Sequence, residues 1–445
     1  MPQWLGRHKW LLLTAAVMIV GLLAFAACED DEEEGKTPTG TETPSAGITP
    51  ATGPTALKIG GLFDFTGALG ELGPPIRNGA ALGIAECNAA GCIGGGKVEM
   101  VEGDAQTSAT AGVDAANQLI DVQGAQVILG PMASGVTAAV AESVTVPGGV
   151  LLISPSATAP TVTDIVDDDL VFRTTVSDLG QGAILAQLTD DLGYTKVGAL
   201  YGNNAYGQGL AEVFKEKFEA LGGGRSVTIV PYDEGQASYL AELQQATAGG
   251  VDAFAAIGYP TEAAVYVKEA IENELVEPGK FLFVDGTQSK NLIAAVGAES
   301  LNGTNGTAPG QAPTTEQRQA FVALYEAEYG DFPPTPFIAE AYDAAALFCL
   351  AAAQAGSTDG AALRDALREV SSPPGETVVP GLEGLANALQ LIADGEYVDY
   401  EGWASSTNFD PNGDVLQGSI QLWEIKDGVI ADKGAPISVD LAAGG

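Results

Sequence analysis

Three hydroxyl-bearing residues follow apolar runs in the first half of the chain. Ser134 stands in "GPMASG" after the run that ends at Leu129, and Ser156 and Thr158 stand in "ISPSATAP" after the run 149–152. Small neighbours leave the backbone uncovered, and Ser or Thr at a helix start leaves N–H groups and hydroxyls free to converge on an anion such as a carboxylate. Ser134 and Thr158 could alternatively only cap helices, but together, at the ends of neighbouring strands, they favour a binding site.

The second half of the chain offers two tyrosines and an acidic residue at similar places. Tyr206 and Tyr259 lie in the Gly-containing loops "YGNNAYGQG" and "GYPTEA", and Asp285 directly follows the apolar run 281–284. Each alone is also compatible with a surface tyrosine or a helix-capping aspartate. An acidic group that faces a nest of hydroxyls is a suitable receptor for a zwitterion, with its carboxylate on Ser134 and Thr158 and its ammonium on Asp285.

The sequence offers little support for a catalytic, nucleotide-binding or metal-binding site. The chain has one histidine, His8, in an N-terminal segment that we expect to be removed, which excludes Ser-His-Asp and Cys-His triads and His-ligated zinc. "GCIGGGKV" has Gly and Lys at the spacing of a P-loop, but Val98 stands where Ser or Thr should bind magnesium and the segment precedes a strand. "DPNGD" is too short for an EF-hand and predicts a turn. We therefore expect no metal, no cofactor and no enzymatic activity.

Strand-like and helix-like segments alternate along the chain. Strands are predicted at 57–63, 97–102, 126–129, 150–153, 196–201, 226–232, 251–258 and 280–285, and helices at 76–88, 110–121, 135–143, 182–192, 207–221, 239–247 and 262–272. This alternation predicts an α/β protein with two doubly wound parallel-sheet lobes, in which ligands sit beyond the carboxyl ends of the strands.

The last third of the chain predicts helices at 315–329, 338–355, 360–369 and 384–393 before a final strand at 418–428. Helices without strands of their own must pack on an existing sheet, so the chain should return to the first lobe and its last strand should cross to the second. We expect lobe 1 to comprise 57–176 and 307–415, and lobe 2 to comprise 177–306 and 416–445. Three crossovers, near Thr175, Thr307 and Asp414, would form the hinge.

The N-terminus predicts export. Arg7, His8 and Lys9 precede an apolar run at 10–28, and the run ends in "FAAC", which resembles a lipobox whose Cys28 becomes lipid-modified. We expect residues 1–27 to be a lipoprotein signal peptide and the acidic, Thr- and Pro-rich residues 28–56 to be a flexible tether. The alternative is an uncleaved anchor helix. In either case the rest of the chain would be extracytoplasmic and tethered to a membrane.

The net charge limits the classes of binding partner, and the cysteines bear on the cellular compartment. The formal net charge of −39 argues against nucleic acid or an anionic membrane surface as the partner. Outside the cytoplasm, Cys87 and Cys92 in "CNAAGC" are expected to close a small disulfide, and Cys349 in "AALFCLAAA" to be a buried small hydrophobic residue.

From about residue 57 onward, the chain resembles a known family. The segments "KIGGLFDFTGALGELGPPIRNGAALGIAECNAAG", "VILGPMASGVTAAVAES", "LLISPSATAPTVTD", "VFRTTVSDLGQG" and "YGNNAYGQGLAEVF" are similar to leucine/isoleucine/valine-type solute-binding proteins of ABC transporters, which have the type I periplasmic-binding fold. The resemblance implies an amino acid ligand that is delivered to permease subunits. We expect hinge closure to capture this ligand and the protein to be a monomer.

The resemblance also implies roles for individual residues. Ser134 and Thr158 match positions that bind the ligand's carboxylate, Ser156 offers its backbone carbonyl to the ammonium, and Asp285 stands where the family places an acidic residue for that ammonium. Tyr206 and Tyr259 match aromatic wall positions.

The pocket end that receives the ligand's side chain departs from the family. Leu72 stands where leucine-type proteins carry an aromatic residue, which leaves the identity of the amino acid open. The family also includes binders of amides, urea and aromatic acids, and the same fold serves ligand-sensing receptors. Capture of a branched-chain or other aliphatic amino acid for transport is the function that the sequence favours.

Overall fold

The computed structural model describes residues 56–92, 96–310 and 314–443. Its first sheet has five parallel strands in the order β2-β1-β3-β4-β5. These strands are β1 (Ala56–Phe63), β2 (Lys97–Asp104), β3 (Val127–Leu129), β4 (Leu151–Ser154) and β5 (Val171–Arg173). Three of the five are entirely buried, as expected for a parallel sheet covered on both faces.

Three helices connect the strands of this sheet. They are α1 (Gly73–Ala90), α2 (Ala109–Asn117) and α3 (Ser134–Val140). Proline in the first turn of α1 and Gly91 after its end, with φ 84°, define the limits of that helix.

The second sheet follows in sequence. Its strands are β6 (Lys196–Gly202), β7 (Ser226–Tyr232), β8 (Ala253–Ile257), β9 (Phe281–Phe283) and β10 (Asn305–Pro309), in the order β10-β9-β8-β6-β7 and parallel throughout. The helices between them are α4 (Asp178–Asp191), which precedes β6, and α5 (Ala205–Ala220), α6 (Leu240–Ala246), α7 (Pro260–Glu272), α8 (Lys290–Val296) and α9 (Ala298–Leu301). Two doubly wound lobes are therefore present, as predicted.

The rest of the chain first returns to the first lobe. It forms α10 (Thr315–Tyr329), α11 (Ile338–Ala355), α12 (Gly360–Val370), β11 (Glu376–Val378), α13 (Leu382–Ala393) and β12 (Val398–Tyr400), where β11 and β12 pair with each other. Strands β13 (Gln417–Lys426), β14 (Val429–Asp432) and β15 (Ile437–Asp440) then join the second sheet, with β13 antiparallel to β10. The last predicted strand therefore lies in the second sheet.

Helix α11 is the core helix of the first lobe. It packs along α1, where a Cβ on Gly79 would lie 2.1 Å from the carbonyl oxygen of Ile338, so only glycine permits this approach. Among the described helices, α11 alone is long and apolar enough to cross a membrane, but 83% of its span is buried inside the protein. The length and apolar composition of α11 are therefore explained by its place in the core.

Three segments connect the lobes. The first joins β5 to α4 and contains Thr175, the second follows β10, and the third joins Asp414 to β13. Thr307 lies inside β10, where it pairs with Leu422 of β13, so the second sheet extends beyond the boundary expected at 307.

Two predictions concern covalent features. The structure contains no disulfide between Cys87 and Cys92: both are free, buried thiols, and the buried thiol of Cys349 lies beside them. The local spacing did not show that a third cysteine from α11 shares their site. The predicted signal peptide, the tether and Cys28 lie outside the described residues, except that Ala56 begins β1.

Candidate functional site

A pocket lies between the two lobes. Both lobes contribute residues from loops at the carboxyl ends of their strands. The first lobe supplies Leu69, Leu72, Met132, Ala133, Ser134, Ser156 and Phe337, and the second supplies Tyr206, Tyr259, Asp285 and Gly286. The structure therefore brings six of the seven predicted ligand-binding residues to one pocket.

Ser134 lies on the first-lobe side of this pocket as the first residue of α3. Its Oγ accepts a hydrogen bond from the backbone N–H of Ala159 at 3.2 Å and does not cap its own helix. The hydroxyl proton of Ser134 therefore remains available to a ligand, which weighs against the alternative of a helix cap.

Two serine hydroxyls fix the conformation of the segment "ISPSATAP". Ser154 donates its hydroxyl to the carbonyl of Pro131 at 2.6 Å and accepts the N–H of Ala157 at 3.0 Å. Ser156, which does line the pocket, donates its hydroxyl to the carbonyl of Met132 at 3.1 Å. These two hydroxyls shape the loop, so the ligand is left with backbone groups of Ser156.

A buried arginine fixes the far side of the same loop. Arg173, at the end of β5, donates from Nη1 to the carbonyls of Ala157 and Ala159 at 3.1 and 2.9 Å. Its Nε lies 2.6 Å from Oδ1 of Asp414, and Thr163 bonds to the same ion pair. Arg173 thus connects the binding loop to the third crossover.

Thr158 is the predicted residue that does not line the pocket. Its side chain is fully buried, Oγ1 has no hydrogen-bond partner among the described residues, and its carbonyl accepts the N–H of Asp178 at 2.8 Å. A direct contact between Thr158 and a ligand is therefore not supported by this arrangement, although the loop containing it forms the pocket wall.

On the second-lobe side, Asp285 begins a short helical turn immediately after β9. Its Oδ1 accepts hydrogen bonds from the Tyr206 hydroxyl at 2.6 Å and from Gln181 Nε2 at 2.7 Å. Burial raises the pKa of Asp285, and the hydrogen bonds from Tyr206 and Gln181 act against that rise. The two hydrogen bonds fix the position of Oδ1, and the Asp285 residue lines the pocket.

Tyr206 and Tyr259 form an aromatic wall. Their rings are stacked, with centroids 5.6 Å apart and planes 8° from parallel, and both side chains are buried. Asn204 caps α5 through the N–H of Gly207 and so fixes Tyr206 in the first turn, while Tyr259 directly precedes α7. The first lobe adds the apolar side chains of Leu69 and Leu72 to the lining of the same pocket.

A second buried carboxylate, Asp178, was missed by the sequence analysis. It begins α4 directly after the first crossover, and neither carboxylate oxygen has a hydrogen-bond partner among the described residues. Burial raises the pKa of Asp178 and the nearby charge of Asp285 raises it further, while the adjacent Thr158 hydroxyl and the charge of Arg173 act in the opposite direction. The signal was present in "TTVSDLGQG", where Asp178 and Gln181 are one turn apart on α4.

The two lobes also touch outside the pocket lining. Ser289, at the start of α8, donates its hydroxyl to Oε2 of Glu71, and the N–H of Asn291 lies 3.3 Å from Oε1 of the same carboxylate. A Cβ on Gly209 would lie 2.8 Å from Pro160, so α5 approaches the first lobe closely only because glycine stands there. The lobes are closed on one another in this structure.

Comparisons with known proteins agree with this architecture. A family model described as "periplasmic binding protein" matches residues 56–381. The chain is 30% identical over 354 residues to a chemotactic signal transduction system substrate-binding protein, BasB, of Halobacterium salinarum, covering 78% of this chain and 81% of that protein. It is 28% identical over 330 residues to Leu/Ile/Val-binding protein homolog 3 of Brucella melitensis, covering 73% of this chain and 85% of that protein.

Solved structures show the same fold. The leucine-binding protein LivK of Thermotoga maritima aligns with a TM-score of 0.71 at 24% identity, covering 87% of this chain and 99% of that one. LivJ of Streptococcus pneumoniae, in complex with isoleucine, aligns with a TM-score of 0.67 at 26% identity, covering 86% and 99%. A solute-binding protein from R. palustris, in complex with 4-hydroxybenzoate, aligns with a TM-score of 0.68 at 19% identity, covering 86% and 97%.

Proposed function

The chain belongs to the periplasmic binding protein family, and from this premise we propose that it is the solute-binding component of an ABC importer. The resemblance to leucine/isoleucine/valine-type proteins is confirmed by Brucella relatives and by the LivK and LivJ structures. The family suggests an extracytoplasmic location. The proposed ligand is a branched-chain or other aliphatic amino acid, captured between the lobes and delivered to a permease.

One observation carries this proposal: a buried carboxylate, Asp285, and a hydroxyl available to a ligand, Ser134, line the same pocket from opposite lobes. In the proposed complex the ligand's ammonium meets Asp285, and its carboxylate meets Ser134. The backbone carbonyl of Ser156 would accept a second ammonium hydrogen bond.

The remaining wall suits an apolar side chain. Leu69, Leu72 and Met132 line the pocket together with the stacked rings of Tyr206 and Tyr259. A branched aliphatic side chain loses contact with water on all these surfaces when it enters, which contributes about 25 cal/mol per Å² of apolar area. A micromolar affinity corresponds to about −8 kcal/mol, which two charge-assisted ends and such burial could supply.

Hinge closure is the proposed mechanism. The three crossovers let the lobes rotate, and only the closed arrangement brings residues of both lobes to one ligand. We propose that no covalent bond of the ligand is broken and that the protein is a monomer. We also propose that a lipid on Cys28 attaches the protein to the membrane.

Ligand sensing is the alternative, because the BasB relative is described as a chemotactic signal transduction component. The two roles share ligand capture and differ in the partner that the closed form contacts. A complex of 4-hydroxybenzoate with a protein of this fold keeps aromatic acids among the alternative ligands. Amides and urea are alternatives on the family resemblance alone.

A thermal-shift screen of the purified chain against amino acids, short amides, urea and aromatic acids tests the ligand class, because binding to the native state raises the melting temperature. We expect leucine, isoleucine or valine to give the largest shift. A shift only with ligands that lack an ammonium group would overturn the amino acid assignment. Binding of the liganded chain to permease subunits, and not to a signalling receptor, would then separate transport from sensing.

A further inference from the structure

The three cysteines of the described chain form a cluster that the proposed ligand capture does not use. Cys87 lies fifteen residues after Leu72, a pocket residue, which is about 20 Å along α1 at about 1.5 Å per residue. The cluster is therefore remote from the cleft.

Two separate features of the fold bring these thiols together. Helix α1 ends at the left-handed Gly91, and the N–H of Cys92 then donates to the carbonyl of Cys87 at 3.0 Å, which turns Cys92 back beside Cys87. Cys349 comes from the middle of α11, which packs along α1. The three Sγ atoms all lie within 4.8 Å of one another, although 257 residues separate Cys92 from Cys349.

The cluster is closed to solvent. Cys87 and Cys349 are 0% exposed and Cys92 is 3% exposed. No histidine, aspartate or glutamate among the described residues joins the three sulphurs within ligand distance of all of them. The group therefore offers three soft ligands and no hard one.

This donor set fits a particular class of ion. Thiolates select Cu(I) and zinc among the biological metals, and structural zinc takes four ligands in a tetrahedron. Around a trigonal ion with metal–sulphur distances of about 2.3 Å, the sulphurs lie about 4 Å apart, which is within the separation found here. Three sulphurs with no fourth ligand favour a soft monovalent ion.

Metal binding at this cluster would release protons. The thiolate, not the thiol, is the metal ligand, so an entering cation must displace the protons of the thiols that bind it.

We propose that Cys87, Cys92 and Cys349 form a trigonal site for a soft monovalent metal ion of the Cu(I) class. The ion would join α1 to α11 and thereby stabilise the first lobe. The site acts independently of the solute captured in the cleft.

The test uses the full chain in detergent with Cys28→Ser, so that only the three clustered thiols remain. After anaerobic reduction, Cu(I), added as its acetonitrile complex, is titrated in competition with bicinchoninate. We expect one Cu(I) per chain, a higher melting temperature with metal, and three sulphur neighbours at about 2.3 Å by X-ray absorption. Cys349→Ala and Cys92→Ala should each lower the affinity at least 10-fold, while wild type and Cys28→Ser should bind equally at this site.

Three results would overturn the proposal. The first is a single titratable thiol in the unreduced, denatured Cys28→Ser chain, which would indicate a disulfide between two of the three cysteines. The second is no Cu(I) bound by the reduced, folded chain, or preference for Zn²⁺ over Cu(I). The third is unchanged affinity in folded Cys349→Ala. The X-ray absorption result on Cys28→Ser decides the sulphur count even where an alanine variant fails to fold.

Discussion

Tyr206 and Asp285 are joined by a hydrogen bond of 2.6 Å from the tyrosine hydroxyl to Oδ1, and the same hydroxyl accepts the N–H of Gly286 at 3.2 Å. The tyrosine that forms the pocket wall therefore also orients the acidic group. This coupling makes the aromatic wall and the proposed ammonium site a single unit.

Asp285→Asn should abolish tight amino acid binding. The substitution keeps the size of the side chain but removes the charge opposite the ammonium, and loss of one partner of a buried charge pair costs about 2 to 5 kcal/mol, or at least about 30-fold in affinity. Isothermal titration calorimetry measures the change. The control is Asp233→Asn on the exposed surface of the same lobe, and equal binding by both variants would contradict the role of Asp285.

Ser134→Ala and Ser156→Ala should differ. Ser134 has a hydroxyl proton available to a ligand carboxylate, so its removal should weaken binding about 10-fold, as expected for a hydrogen bond to a charged group. Ser156 donates its hydroxyl to Met132 and would contact the ligand through its backbone, so its variant should bind more tightly than Ser134→Ala. Dissociation constants for leucine and for its amide compare the two. The amide should bind Ser134→Ala about as well as it binds wild type.

Glu71→Gln should weaken the closed form. Its carboxylate accepts hydrogen bonds from the Ser289 hydroxyl and the Asn291 N–H of the other lobe. Loss of the charge should increase ligand dissociation several-fold and leave association nearly unchanged. Stopped-flow fluorescence measures both rates. Glu99→Gln, an exposed change on β2, serves as the control, and a change confined to association would argue against a closing contact.

Arg173→Met should destabilise the fold by about 3 to 5 kcal/mol, because it leaves Asp414 buried without its partner. The matched control is Arg77→Met, which breaks the half-exposed pair with Glu102 and should cost at most about 1 kcal/mol. Denaturant unfolding of both variants tests the difference. Similar losses would show that the connection between the binding loop and the third crossover carries no particular stability.

Asp64→Asn should flatten the pH dependence of stability between about pH 4 and pH 6. Burial raises the pKa of Asp64 to about 6, and its Oδ2 has no hydrogen-bond partner among the described residues. A pKa raised by folding gives stability that is complete below the unfolded pKa and is lost as pH rises toward 6, by about 3 kcal/mol at most.

Denaturant unfolding of wild type and Asp64→Asn at pH 4, 5, 6 and 7 makes this measurement. Asp252→Asn is a control of opposite sign, because hydrogen bonds from Thr195 and Lys196 lower the pKa of Asp252, whose contribution is lost as pH falls. An unchanged slope in Asp64→Asn would show that Asp64 titrates normally in the folded chain.

Local signals predicted most of the larger elements. The predicted helices at 315–329 and 338–355 have the observed bounds of α10 and α11, since Thr314 caps the first and Gly330 and Gly356, both with positive φ, follow the two ends. The strands that were not predicted are short: β5, β11 and β12 have three residues each, and β10, β14 and β15 have four or five. Such short strands contain too little periodicity and are defined by their partners in the sheet.

The sequence by itself determined the two-lobed α/β architecture and the strand ends that line the pocket, because apolar periodicity and the residues after each strand are local properties. Only the tertiary structure decided that Thr158 does not line the pocket, that Asp178 is buried near Asp285 and that Cys349 joins Cys87 and Cys92. It also decided which residues meet when the lobes close, as Glu71 and Ser289 do. These relationships depend on contacts between segments far apart in the chain, and no local pattern contains that information.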